Sequence, residues 1–164
     1  MDFDLTEVTA YHEAGHAVMA VVLGAKVIHA SIEPPDDDGL ARTGESIVQW
    51  PAGNAQAIEA AEMKVSLAGP VVERIYTGDV REICEIPEFA ADWSRATQSS
   101  QSLTSSITQC AQLLRQTEAS IRDFFDDDNH WAAIGATADE LLAHETIEHI
   151  TLVNVVSFWI KSVK

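Results

Sequence analysis

Residues 5–23 contain no proline, and from Ala14 onward the stretch is apolar on nearly every side (Ala14, Ala17, Val18, Met19, Val21, Val22, Leu23). A surface helix keeps a polar face, whereas a helix apolar all round is enclosed by the rest of the fold. The chain is therefore expected to be built around this segment. Asp4 followed by Glu7 three residues on has the form of a capping box opening it, and Gly24 closes it. Gly15 costs up to about 1 kcal/mol in a helix interior, and its expected use is close approach of a second backbone.

The same helix carries His12-Glu13-Ala14-Gly15-His16. Residues four apart share a helix face, so both imidazoles can reach one metal ion, with Glu13 beside them and not obliged to bind. Two zinc ligands and a general base are the beginning of a metal-hydrolase site. Shuffling this composition yields such a five-residue match in roughly one or two chains per hundred.

The 164 residues, 46% of them hydrophobic, are enough for one domain with a sizeable core, residues 1–164. The longest apolar run, residues 17–25, is nine residues long even with Gly24 inside it. A membrane span needs about twenty, so no membrane segment is expected. No basic stretch precedes an apolar one at the N-terminus, so no secretory signal is expected and the reading is a soluble, cytoplasmic protein. A net charge of −16 argues against direct nucleic-acid binding, which needs a cationic surface. The acidic excess reads as solubility, with a preference for cationic or unfolded substrates as the alternative. Cys84 and Cys110 lack metal-ligand spacing and are expected to be reduced and partly buried.

Residues 26–33 and 41–50 have strand character around a Pro34-Pro35-Asp36-Asp37-Asp38-Gly39 loop, predicting a hairpin with room for one further strand. A long helical segment follows over 55–76, with Gly69-Pro70 expected to kink or split it. Residues 79–87 read as a connector, and 88–125 as helix with a break in the Ser/Thr-rich 99–106. After a loop at 126–129, the last helices are predicted over 130–143 and 146–161. The fold class is mainly α with a small β-hairpin or sheet.

A catalytic zinc site takes three protein ligands and leaves a position for water. A third histidine six residues beyond His16 would fall on Val22, which rules out a metzincin-like site. His29, Glu62, Glu73, Asp92 and His144 remain candidates, and spacing does not choose among them. His144 and His149 are five apart, which turns their rings about 140° away from each other on a helix. The acidic runs 36–38 and 126–128 lack the spacing of a calcium loop.

Thr9-Ala10-Tyr11-His12-Glu13-Ala14-Gly15-His16-Ala17 resembles the protease domain of FtsH-type ATP-dependent zinc metalloproteases. The likeness continues in order through Val65-Ser66-Leu67-Ala68-Gly69-Pro70-Val71-Val72-Glu73 and on to Gly78. It then takes in Asp92-Trp93-Ser94-Arg95-Ala96-Thr97 and Leu141-Leu142-Ala143-His144-Glu145-Thr146, and runs loosely over 6–150. It implies that domain's fold, with one zinc per chain held by His12, His16 and Asp92, and Glu13 as the base. Glu73 is the rival third ligand, better suited to orienting a ligand histidine. The resemblance also implies a sheet edge at 40–45 facing a peptide or unfolded-protein substrate, and assembly as a homo-oligomer. Two features depart from the family. Pro87-Glu88-Phe89-Ala90-Ala91 stands where it usually has Thr-Thr-Gly-Ala, and the chain has no Gly-x-x-x-x-Gly-Lys-Ser/Thr nucleotide loop. The expectation is thus a free-standing zinc endopeptidase, with a separate unfoldase as a possible partner. The alternative is an inactive metal-binding regulatory module that kept the fold.

Overall fold

The structure, a computed structural model, describes residues 4–33, 44–161 and 163. Its first helix, α1 (Leu5–Val22), opens where Asp4 accepts a hydrogen bond from the Thr6 amide at 2.8 Å, and it ends at Gly24 with φ 85°. From Val8 to Val21 every residue of α1 except Tyr11 is buried. The remaining elements are β1 (Lys26–Ser31), β2 (Glu45–Gln49), α2 (Ala55–Thr77), α3 (Ala90–Leu103), α4 (Ile107–Phe125), α5 (Asp128–His144), β3 (Thr146–Glu148) and α6 (His149–Trp159). Helices α2, α5 and α6 and the sheet all pack on α1, so the apolar helix is the centre of the molecule. Among the described residues no helix is long and apolar enough to cross a membrane.

The crossing of α1 and α2 depends on Gly15. A Cβ at that position would lie 2.7 Å from the Ala68 carbonyl oxygen and 3.0 Å from Gly69 Cα, closer than packed atoms stand. The helices meet backbone to backbone, as the glycine predicts. Gly15→Ala is expected to destabilise the metal-free protein by about 1–3 kcal/mol through overpacking, read by denaturant unfolding in chelator. An unchanged midpoint would show that the two helices can separate at no cost.

Three sequence expectations need correction. Helix α2 is not split at Gly69-Pro70 but runs unbroken to Thr77, capped by Asn54 at one end and by Gly78 at φ 73° at the other. Pro70 forfeits one amide donor, but Val65 to Arg74 are all buried, and tertiary packing sets the helix more strongly than one lost bond. Residues 146–148 are a strand, not the start of the last helix. They pair antiparallel with β1 (His29 with Glu148, Ala30 with Ile147, Ser31 with Thr146) and bury Ile147. Helix α5 begins two residues earlier than expected, because Asp127 accepts from the amides of Asn129 and His130. The expected break between α3 and α4 is present, with Ser106 capping α4. Cys110 is buried, while Cys84 is exposed.

Among the described residues the sheet has the order β2-β1-β3, with β2 at its edge. Residues 40–43 of the expected substrate-facing edge lie outside the described residues, as does the whole 34–39 loop. Beyond α2, two 3-10 turns, Ile83–Glu85 and Pro87–Phe89, bury Ile83, Ile86 and Phe89. The Phe89 ring stacks on that of His12 at a centroid distance of 5.6 Å. That contact seats the first turn of α3 against α1. Arg74, buried in α2, holds α4 through Glu118 at 2.5 Å.

Candidate metal centre

His12 and His16 stand one turn apart on α1, and Asp92 lies in the first turn of α3; all three are buried. Their donor atoms converge. His12 Nε2 and His16 Nε2 are 3.0 Å apart, and Asp92 Oδ2 lies 3.1 Å from the first and 3.5 Å from the second. A tetrahedral ion with bonds of about 2.0–2.1 Å has ligand-to-ligand edges of about 3.3–3.4 Å. The edges of the nitrogen, nitrogen and oxygen triangle, 3.0 to 3.5 Å, bracket that size, so the three donors could close on one such ion after small shifts.

The outer ring nitrogens explain why the inner ones converge. His12 Nδ1 is 2.9 Å from Glu73 Oε2, and His16 Nδ1 is 2.7 Å from the Val65 carbonyl oxygen. Each acceptor draws the ring proton to Nδ1 and leaves the Nε2 lone pair facing the other donors. Two imidazole lone pairs and a carboxylate oxygen at such separations repel unless a proton or a cation sits among them. Glu73 therefore orients His12 from behind, and Asp92 completes the triangle. Gly69 makes room for the arrangement, since a Cβ there would overlap the His16 ring.

In the metal-free protein a proton takes the cation's place. Burial opposes charge on His12, yet its hydrogen bonds to Asp92 and Glu73 outweigh that and push its pKa up from 6.5 to about 10. His16 is raised as well: burial works against it, and the Asp92 carboxylate wins. Asp92 is held far below the usual carboxylate range by His16 and His12 despite its burial. The folded metal-free chain thus binds more protons than the unfolded chain between pH 6.5 and about 10. The contribution of His12 to stability is expected to be full below pH 6.5 and to be lost as pH rises through about 10. Metal uptake has the opposite sign, because the ion must displace those protons, so affinity rises with pH over the same window. Thermal melts in chelator and zinc titrations from pH 6.5 to 9.5 check the two slopes. Parallel slopes would mean that proton and metal do not compete for these rings.

Glu13, also buried, brings a carboxylate oxygen within 4.8 Å of the donor nitrogens of both histidines. It is turned towards β2, where Ser46 Oγ donates to Glu13 Oε2 at 2.8 Å. The group opens into a cleft of about 810 Å³, with β2 on one side and residues 87–95 on the other. Of the other sequence candidates, Glu62 lines the cleft and accepts from the Trp50 indole N–H. His29 lies 3.8 Å from Glu45, and His144 lies 3.6 Å from Glu140 on α5. Neither reaches the histidine pair.

Sequence reasoning missed Ser46, Gly44, Gly69 and the Val65 carbonyl. Only the glycines left a signal, since each marks a point where a side chain would collide with a group of the site. Compared with known proteins, the chain matches no family profile and no curated protein sequence.

Proposed function

We propose that the chain is a zinc-dependent peptidase of the FtsH type, hydrolysing peptide bonds in peptides or unfolded proteins. The observation that carries this reading is the triangle of His12 Nε2, His16 Nε2 and Asp92 Oδ2, with edges of 3.0, 3.1 and 3.5 Å. Two neutral imidazoles and one carboxylate suit zinc, and three protein donors beside an open cleft leave a position for water. Held by His12, His16 and Asp92, a zinc ion would supply acidification of a bound water to a pKa of about 7 and positive charge for the substrate's carbonyl oxygen.

The chain's own groups do the rest. Glu13 takes the proton of the attacking water and passes it to the leaving amine. His12 and His16 stay neutral and fixed in direction through Glu73 and the Val65 carbonyl. Strand β2, at the edge of its sheet among the described residues, borders the cleft along residues 45–48. A peptide lying along that edge gains main-chain hydrogen bonds whatever its side chains, which gives affinity with little sequence preference.

The test is cleavage of a denatured, fluorescently labelled protein by the zinc-reconstituted chain. Turnover is expected with zinc, should vanish in chelator, and should return when zinc is restored. Bound zinc with no turnover of denatured proteins or of a peptide library would instead identify a metal-binding interaction module. A buried Glu13 hydrogen-bonded beside an open cleft favours hydrolysis.

A further inference from the structure

We propose that Ser46 is a positioning residue for Glu13, so that β2, the strand bordering the substrate cleft, also sets the geometry of proton transfer. The proposal rests on the peptidase reading above. Among the described residues the hydrogen-bond donor to the Glu13 carboxylate is Ser46 Oγ, at 2.8 Å. A glutamate has rotatable side-chain bonds, and a general base must keep within hydrogen-bond reach of the proton it takes. One charge-assisted hydrogen bond to a rigid donor removes much of that freedom.

The donor is rigid for reasons visible in the sheet. Along β2, Ser46 and Val48 are half-buried while Glu45, Ile47 and Gln49 are exposed, so the hydroxyl is on the inward side of the pleat. Ser46 pairs with Ala30, which is fully buried and pairs in turn with Ile147 of β3. The serine is thus anchored by a strand held on both sides.

A second, independent feature points the same way. At Gly44 a Cβ would overlap the Glu13 carboxyl group where it lies, so the carboxylate rests against the bare backbone that leads into β2. The base lies against a bare backbone at residue 44 and is hydrogen-bonded at residue 46. A misplacement of about 1 Å in a reacting group can cost on the order of a hundredfold in rate, so displacement of this strand would be felt at the chemical step.

The experiment compares wild type, Ser46→Ala and Ser46→Thr, each loaded with zinc, by peptide kinetics and by binding of acetohydroxamate. A hydroxamate chelates zinc and hydrogen-bonds the neighbouring base, so it reports the position of Glu13 without turnover. Ser46→Ala is expected to lower kcat by about tenfold to a hundredfold with KM within about twofold, because the backbone edge of β2 is unchanged. Its acetohydroxamate Kd should rise about tenfold, and Ser46→Thr, which keeps the hydroxyl, should recover both. Zinc content and melting temperature should match wild type in both variants. Equal kcat and equal hydroxamate affinity in Ser46→Ala would overturn the proposal while leaving the peptidase reading intact. Absence of any turnover in wild type would remove the peptidase reading, and the hydroxamate affinities alone would then decide for or against Ser46. Failure of wild type to bind the hydroxamate would count against both.

Discussion

Glu13→Gln, reconstituted with zinc, is expected to keep its metal and to lose peptide hydrolysis by about 10²–10⁴-fold in kcat/KM. The amide has the shape of the carboxylate, so it fits against Gly44, and its oxygen can still accept from Ser46. What it lacks is basicity at neutral pH. None of the donor atoms in the triangle belongs to residue 13, and the hydrogen bonds at both Nδ1 atoms are untouched, so zinc affinity should stay close to that of wild type. Zinc per chain and steady-state cleavage of a fluorogenic peptide are the two readings. Cleavage at the wild-type rate would remove Glu13 from the chemistry. Loss of the metal would make it a ligand.

Asp92→Ala and Glu73→Ala are expected to separate by a wide margin in zinc affinity. Glu73 stands behind His12, and removing such an orienting partner typically weakens a metal site by about 10–100-fold. Asp92 supplies one of three donor atoms and the negative charge facing the ion, so its loss should cost more than that and abolish stoichiometric binding at micromolar zinc. Competition against a chelating dye measures both. The reverse order, with Asp92→Ala binding normally and Glu73→Ala empty, would exchange their roles.

The parts of this site that share one helix were legible in the sequence. His12, Glu13 and His16 fall within five residues, and the 3.6-residue period alone puts the rings on one face. The central place of α1 was equally plain, because its apolar residues leave it no solvent face. Asp92 was a different case. It lies 80 residues from His12 in the chain, and only a resemblance to a known family's order of motifs singled it out from four other candidates.

Illegible features depend on contacts that local pattern cannot encode. Ser46 is a polar residue in an alternating strand, and nothing nearby in the chain marks its hydroxyl as the partner of Glu13. Gly69-Pro70 reads locally as a helix breaker. In the fold its glycine makes room for the His16 ring, and the buried surface around the pair keeps α2 continuous. Residues 146–148 read as helix because a three-residue strand has no period of its own; only β1 decides their conformation.

The most direct test of the site is the zinc K-edge absorption spectrum of the reconstituted chain, taken with its zinc stoichiometry. The expected result is one zinc per chain in a four-coordinate shell of nitrogen and oxygen at about 2.0–2.1 Å, with scattering from two imidazoles. Sulfur in the shell, a third imidazole, or no stoichiometric zinc would contradict a centre built from His12, His16 and Asp92.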